Sequence, residues 1–299
     1  MDKTYLDRIK WRRELMAKHQ TDTVLALPGS EAMVNELYIW LFGTYLPRRY
    51  PRIFTLIAPA ITSSGYSKDD RSLYLRNRIT QESVSLTPPT DPVAALTTIS
   101  SHIDTDFLLL APQPDEEPEA EEKYHLLALA NCCPSGFSPK EKLGLPLNQI
   151  HAPVPAYASK LEKSMDRFFA SLPRGKVVAR ANWTVQLDGE LFCLKGNHGD
   201  KDGPLEGEEL RTERERVDVS KCRLRAERQT LHRLSETGAL VFAFKTYLYP
   251  FKDVKDEGLG EDMAEAIEGL GSGSVPEMPA YKRREVWGDK VAAYLRSTE

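Results

Sequence analysis

Apolar residues recur at helical spacing in two parts of the chain. The first set shares one side of a predicted helix and consists of Met33, Val34, Leu37, Leu41 and Tyr45. Ser30 can cap this helix, Pro47 ends it, and its apolar side indicates packing on a sheet. The second set predicts an amphipathic helix over residues 159–172 and consists of Leu161, Met165, Phe168 and Phe169. The chain therefore contains at least two helices that need a packing partner.

Short extended segments supply that partner. The predicted strands are residues 52–57, 72–76, 84–86, 106–110, 176–187, 221–227 and 239–249. β-Branched and aromatic residues are frequent in the later ones, and Asp188-Gly189 predicts a hairpin that joins 176–187 to 191–194. Strands and helices do not alternate as βαβ units, so the pattern predicts an α+β fold with helices packed on a sheet.

Polar segments divide the chain. We expect an N-terminal helical segment (1–29), a main domain (30–255), and an acidic, Gly-rich linker with a C-terminal helix (256–299). The stretch PQPDEEPEAEE at 112–122 has no apolar anchor, so it is expected to be a solvated loop.

Composition excludes several classes of protein. The net charge is −4 and no long Lys/Arg block occurs, which argues against a nucleic-acid partner. No apolar run is long enough for a membrane span, and the N-terminus lacks a signal sequence. Four cysteines in 299 residues form no disulfide framework. We therefore expect a soluble, cytoplasmic protein with reduced thiols and no membrane partner.

Common nucleotide and zinc motifs are missing from the sequence. It contains no G-x-G-x-x-G after a strand, no G-x-x-x-x-G-K-[ST], no C-x-x-C pair and no G-x-S-x-G. Dinucleotide, P-loop, zinc-ribbon and serine-hydrolase interpretations therefore lack their main signal.

His151 lies in a segment rich in proline. Pro146, Pro153 and Pro155 restrict the backbone on both sides of it, so the imidazole is held in few conformations. A stiffly held imidazole suits metal ligation. A half-buried histidine with satisfied hydrogen bonds is the alternative interpretation.

A second group of polar residues lies in LRAERQTLHRL (224–234). In a strand, Arg225, Glu227 and Gln229 point to one face and Arg228 to the other. The segment is either a solvated edge or the wall of a ligand pocket beside the apolar run 239–244.

Several motifs, in order, resemble one family. They are YLPRRYPRIF (45–54), PSGFSPKEKLG (134–144), IHAPVPAY (150–157), DRFF (166–169), ERQTLHRL (227–234) and FKTYLYP (244–250). The sequence resembles the haem-dependent oxidative N-demethylase alpha-subunit-like family, which includes bacterial dimethylamine monooxygenase and fungal HRQ proteins. The resemblance implies a PAS-like antiparallel sheet with helices packed on it, which encloses a b-type haem. It also implies the oxygen-dependent removal of a methyl group from a secondary amine.

The resemblance assigns roles to individual residues. His151 becomes the axial iron ligand, and Pro153 and Tyr157 join it as cofactor-binding residues. The catalytic residues are Glu227, Arg228, Gln229 and Thr230. Of these, Arg228 can bind a haem propionate as a bidentate pair, and Glu227 can pair with an amine or relay protons. Cys133, which precedes a proline, is the alternative ligand, although a buried structural cysteine fits its context equally well.

The substrate and reaction stay open. The segment Ile103–Phe107 keeps only part of the acidic stretch expected from the family. A departure of this kind near a pocket can change the substrate while the protein still binds the same cofactor. A monooxygenase needs two electrons, so it implies a reductase partner. A PAS-like haem sensor is an alternative, although the stretch after Asp253 is short for an output domain. A peroxide-driven or dehydrating haem enzyme is another.

Overall fold

The structure, a computed structural model, describes residues 1–58, 73–113, 123–199 and 205–298. Its strands are β1 (Val24–Ala26), β2 (Phe54–Ile57), β3 (Tyr74–Asn77), β4 (Glu82–Ser85), β5 (Asp106–Gln113), β6 (Lys123–Ala130), β7 (Val177–Gln186), β8 (Arg223–Arg233) and β9 (Leu240–Pro250). Six form an antiparallel sheet in the order β1-β6-β5-β9-β8-β7, and β2, β3 and β4 form a second antiparallel sheet. The predicted α+β class is confirmed.

Twelve α-helices accompany these sheets within the described ranges. They are α1 (Tyr5–Lys18), α2 (Gln20–Thr23), α3 (Glu31–Trp40), α4 (Leu46–Arg49), α5 (Pro92–Ser100), α6 (Leu147–Ile150), α7 (Glu162–Ser171), α8 (Gly207–Arg216), α9 (Phe251–Asp256), α10 (Gly260–Glu268), α11 (Met278–Tyr281) and α12 (Arg284–Arg296). π-Helical turns occur at Leu41–Tyr45 and Tyr157–Leu161, and 3₁₀ turns at Pro139–Lys142 and Gly269–Gly271. No helix in the described part of the chain combines the length and apolarity needed to cross a bilayer.

The two faces of the large sheet pack against different helices. On the α3 face, the ring of His232 meets that of Trp40 at a centroid distance of 5.1 Å. On the α7 face, Leu231 packs in one apolar cluster with Phe169, and Arg233 Nε donates to Leu172 O at 2.8 Å. Since successive side chains of a strand point to opposite faces, β8 separates the two layers.

A further apolar cluster joins the C-terminal helices to the ends of β7 and β8. Trp287 of α12 and Ile267 of α10 are fully buried there beside Val185 and Cys222. The stretch expected to be a linker thus contains a packed helix, α10. The three-part division into 1–29, 30–255 and 256–299 stays a prediction.

The first predicted helix begins at Glu31 as expected, but Pro47 does not end it. The chain stays helical to Arg49 because a π turn precedes the proline, and Leu46 N donates to Leu41 O across it. Pro47 then falls in the first turn of α4, where a missing N–H is tolerated. The Ser30 hydroxyl donates to Leu27 O at 2.6 Å instead of capping the helix.

The predicted hairpin into 191–194 is wrong. Strand β7 pairs along its whole length with β8, and Cys193 makes only an isolated bridge to Ser135. The Asp188 carboxylate accepts from Glu190 N at 3.0 Å and turns the chain away from β7. An eleven-residue partner offers a longer ladder than the four residues 191–194. Residues 114–122 of the predicted acidic loop and Ser72 of the predicted strand 72–76 lie outside the described residues.

Candidate functional site

His151 directly follows α6 on the α7 face of the large sheet. Its Nδ1 lies 2.8 Å from Leu147 O. A carbonyl oxygen only accepts, so Nδ1 carries the proton and Nε2 presents an unprotonated lone pair. Burial lowers the pKa of His151, the Leu147 contact opposes this, and the charge of Arg180 lowers the pKa further. The neutral imidazole therefore has the tautomer that a metal-ligating Nε2 requires.

Tyr157 packs flat on His151. The two rings stack at 4.7 Å with an interplanar angle of 11°. Ala156 adopts a left-handed φ of 56°, and the π turn that follows buries Tyr157. Burial raises the pKa of Tyr157 to about 12, and the buried hydroxyl has no hydrogen-bond partner among the described residues. This orphaned donor beside the imidazole indicates a place where a ligand's polar group can bind.

A line of polar side chains runs along the α7 face of β7 and β8. We call it the polar row, and its members are Arg180, Asn182, Arg225, Glu227 and Gln229. The register pairs Arg180 with Gln229 and Asn182 with Glu227, so that cross-strand partners share a face. The prediction that Arg225, Glu227 and Gln229 point one way and Arg228 the other is confirmed.

Hydrogen bonds link the polar row end to end. Arg180 Nε donates to Gln229 Oε1 at 2.5 Å, and Gln229 Nε2 donates to Glu227 Oε2 at 2.8 Å. Arg225 Nε approaches Glu227 Oε1 at 3.4 Å. Since donors lie at both ends, the amide of Gln229 has one orientation and the carboxylate of Glu227 is held on both oxygens.

Arg225 anchors the row to the loop before His151. Its guanidinium is fully buried, and Nη2 donates to Cys133 O at 2.6 Å while Nη1 donates to Gln186 Oε1 at 3.1 Å. A buried arginine with this many acceptors is a fixed structural centre. Glu227 therefore lies between the fixed charge of Arg225 on one side and the uncharged amide of Gln229 on the other.

The structure does not bring the whole predicted motif together. Arg228 is exposed on the α3 face, where its charge acts on the hydroxyls of Tyr45 and Tyr247. Thr230 lies on that face too, and its hydroxyl contacts Ala243 O at 3.4 Å. Pro153 is exposed in the turn after His151. Only Glu227 and Gln229 of the four-residue motif thus share a face with His151.

Cys133 is built into the fold. Burial raises the pKa of its thiol, Sγ accepts from Arg8 Nη2 at 3.5 Å, and its peptide N donates to Asp106 Oδ2 at 2.7 Å. A thiol kept protonated by burial is a poor metal ligand. The geometry favours His151 over Cys133 as the ligand.

The C-terminal segment approaches Glu227 from another direction. Burial raises the pKa of Tyr281, and the Glu227 charge raises it further. Burial lowers the pKa of Lys282, whereas Glu227 opposes that change. Lys282 Nζ donates to Trp183 O at 2.5 Å, and the Tyr281 ring stacks on His198 at 4.6 Å. Tyr281 and Lys282 are thus candidate residues of the site that the sequence analysis did not identify.

A family model matches almost the whole chain. The model of the family described as haem-dependent oxidative N-demethylase, alpha subunit-like, covers residues 1–292. The chain belongs to this family. The match extends beyond the motifs at 45–250, because the N-terminal helix and most of α12 also lie within it. Among curated proteins, no match to the chain was found.

The residues of the site fit the cofactor in the family's name. A haem iron can take one axial ligand from the protein, and His151 offers an unprotonated Nε2 with its other ring nitrogen bound to a carbonyl. His151 of IHAPVPAY and the residues Glu227 and Gln229 of ERQTLHRL thus lie on one face of the large sheet. Polar residues alternate in the β7 sequence VVARANWTVQ. Once β7 is paired with β8, this alternation indicates Arg180 and Asn182 as further residues of the site.

Proposed function

We propose that this protein is a haem-binding oxidoreductase, similar to the oxygen-dependent oxidative N-demethylases of secondary amines. The observation that carries the proposal is the 2.8 Å contact of His151 Nδ1 with Leu147 O, which makes Nε2 the unprotonated nitrogen, on the same face as a hydrogen-bonded Glu227. The proposal includes a b-type haem and a PAS-like arrangement of the antiparallel sheet around it. Cytoplasmic location remains part of the proposal.

Under this proposal His151 would ligate the haem iron through Nε2. The Leu147 carbonyl fixes the ring and its tautomer, and Tyr157 keeps the imidazole plane by stacking on it. A bound haem supplies the oxygen activation that the removal of a methyl group requires. The protein's own part is to hold the imidazole so that no reorientation is needed on binding.

Glu227 is the residue that we assign to substrate chemistry. A secondary amine is a cation near neutral pH, and a carboxylate fixed by Gln229 and Arg225 can bind its N–H groups. The same carboxylate can take a proton from the bound amine before oxidation, or pass one onward. Asn182 Nδ2, 3.5 Å from Glu227 Oε2, orients the same oxygen. Glu227 thus acts as the amine-binding and proton-transfer group, and Gln229 as a positioning residue.

The electrons are assigned to a separate protein. A monooxygenase reaction consumes two electrons in addition to those of the substrate, and the family is named for an alpha subunit. We therefore propose an electron-donating reductase as a partner.

An absorption spectrum of the purified protein tests the cofactor. We expect a Soret band near one haem per chain and its loss or shift in His151→Ala. His125→Ala is the matched control, because His125 Nδ1 also lies near a backbone carbonyl, Lys123 O at 2.9 Å, but away from the polar row. An unchanged spectrum in His151→Ala would contradict the assignment.

Two further measurements separate the alternatives. Cys133→Ser should keep the ferrous–CO spectrum of the parent, and a large shift would make Cys133 the ligand. Amine-dependent oxygen consumption with a supplied reductant tests the reaction. A haem protein that binds oxygen but consumes none with any small secondary amine would favour a sensor, or a haem enzyme of another reaction type.

A further inference from the structure

Arg180 has an unusual position in the polar row. It lies on β7, the edge strand of the large sheet, and its side chain is exposed on the α7 face. Its Nε is tied to Gln229 Oε1 at 2.5 Å, which fixes the plane of the guanidinium. The two terminal nitrogens make no hydrogen bond or ion pair with any described residue.

The charge of Arg180 is not neutralised locally. Its bonded partner, Gln229, is an uncharged amide, and that amide stands between Arg180 and the Glu227 carboxylate. Glu227 is in turn bound by Arg225. In the polar row, Arg225 thus pairs with Glu227, the acidic residue of the row. Arg180 keeps two oriented terminal nitrogens that bind no described residue.

Arg180 lies on the face of the large sheet that also carries His151. Val178, two residues before Arg180 on β7, packs against the same apolar cluster as Ile150, the neighbour of His151. A planar guanidinium with both terminal nitrogens free matches a carboxylate in a bidentate geometry. Such a group on the same face as the His151 imidazole is suited to an anionic substituent of a ligand that the imidazole binds.

We propose that Arg180 is the carboxylate-binding residue of the His151 site. This inference rests on the proposed function, under which the carboxylate is a propionate of the haem. It assigns to Arg180 the role that the sequence motif suggests for Arg228, because Arg228 lies on the other face of the sheet. Gln229 becomes its positioning residue, since it holds Nε without neutralising the charge.

Binding of haemin and of its dimethyl ester tests the proposal directly. The ester has the same ring and iron but no carboxylate charge. We expect the wild-type chain to bind haemin more tightly than the ester. Arg180→Gln should weaken haemin binding about 10- to 100-fold, the range for the loss of a hydrogen bond to a charged group, and should leave ester binding unchanged. The preference for haemin should therefore collapse in this variant.

Two other variants make the test specific. Arg228→Gln removes another exposed arginine from the opposite face of the same strand pair and should keep the wild-type preference. Arg180→Lys keeps the charge but loses the bidentate fork, so its preference should be intermediate. A thermal melt without porphyrin checks that each variant is folded. We expect all of them to fold, because both arginines are exposed.

The outcomes separate this inference from the proposed function. If the wild-type chain binds haemin and Arg180→Gln keeps the full preference over the ester, the inference is wrong while the proposed function stands. A collapse in Arg228→Gln alone would also overturn it. If the wild-type chain binds neither porphyrin, the proposed function and the inference both fail.

Discussion

Both carboxylate oxygens of Glu227 are hydrogen-bonded inside the polar row. We therefore expect the site to depend on the charge of Glu227, whereas a neutral side chain of the same shape should still fit. In Glu227→Gln the new amide can still accept from Gln229, and Arg225 keeps its bonds to Cys133 O and Gln186. We expect fold and haem content to be kept and amine-dependent turnover to fall about 10²–10⁴-fold, as for a positioned acid–base group.

The competing outcome for Glu227 has its own signature. If Glu227 and Arg225 are only a structural pair, removing the charge should lower the unfolding temperature and turnover together. Thermal melts and oxygen-consumption rates of the same preparation distinguish these cases. If stability and activity fall together, the polar row has a structural role and is not part of the active site.

Two histidines, the buried His102 and the half-buried His198, give the fold a pH dependence. Burial lowers the pKa of His102 to about 4, with a further lowering by Arg13 that Glu82 opposes. Burial likewise lowers the pKa of His198 to about 4, from the value of about 6.5 usual for an imidazole. The unfolded chain therefore binds more protons than the folded chain between these pKa values, and stability falls as pH drops through this window. From pH 7 to pH 5 each histidine should cost about 2 kcal/mol.

Substitution of one histidine tests this dependence. His102→Phe keeps a ring against Phe42, whose centroid lies 6.1 Å away, and cannot take up a proton. Denaturant melts at pH 7 and pH 5 should show a loss of unfolding free energy about 2 kcal/mol smaller than in the wild type. His198→Phe should reduce the loss by a similar amount. A wild-type pH dependence in both variants would contradict the assignment of neutral, buried rings.

At this scale the sequence identified some residues of the site and missed others. The prolines around His151 indicated that residue, and the alternation in β8 indicated a shared face for Arg225, Glu227 and Gln229. The roles proposed for Glu227 and Gln229 came from the family resemblance. The Leu147 carbonyl that sets the tautomer depends on the turn of α6, which no residue pattern specified. Arg180 was missed because its role depends on which strand lies beside β8.

Among the elements, β7 shows that a local turn motif does not decide which strand it pairs with. Asp-Gly is a strong hairpin signal, yet the Asp188 carboxylate caps the turn while β7 pairs with β8. Pairing over a separation of many residues depends on total ladder length, which a local window of sequence does not contain. Strand positions were therefore predicted better than strand partners.

The loop that carries Cys133 depends on a glycine. Gly136 has a φ of +74°, and a Cβ there would lie 2.9 Å from Asn197 Cβ. Asn197 Nδ2 in turn donates to Gln186 Oε1 at 3.3 Å, and Gln186 accepts from Arg225. A change at Gly136 therefore reaches the polar row through two side chains.

Gly136→Ala and Gly175→Ala form a matched pair for this loop. Gly175 has a similar φ of +79° but no atom within 4 Å of its added Cβ. Both variants bear the strain of a left-handed backbone, about 1–3 kcal/mol. Gly136→Ala should lose about 1–3 kcal/mol more from steric overlap. Chemical denaturation measures both, and equal losses would show that Asn197 moves aside freely.

For the whole molecule, the C-terminal helices are part of the fold and support the site. Trp287 is 1% exposed, and its Nε1 donates to Lys282 O at 3.0 Å, next to Tyr281. Trp287→Ala should lower the free energy of unfolding by about 3–5 kcal/mol. The control, Leu259→Ala, concerns a side chain that is 46% exposed in the same region and should change stability by less than about 0.5 kcal/mol. Similar effects of the two changes would mean that this cluster contributes little.

The α+β class and most strand positions of the whole molecule could be predicted from periodicity. The assignment of helices to the two faces of the sheet could not, because it depends on strand order. The C-terminal cluster was also missed, since its acidic and Gly-rich flanks masked the apolar positions Ala264 and Ile267 of α10. Tertiary packing, more than local composition, determines such segments.

Strand β8 has a different environment on each face along its eleven residues, and this limits how its sequence can vary among relatives. Substitutions can be absorbed one at a time, but the insertion or deletion of one residue would exchange the faces for the rest of the strand. Arg228 and Thr230 would then face His151, and Glu227 would face α3. Length changes are therefore expected in the connecting loops, while the spacing from Arg225 to Arg233 stays constant across the family.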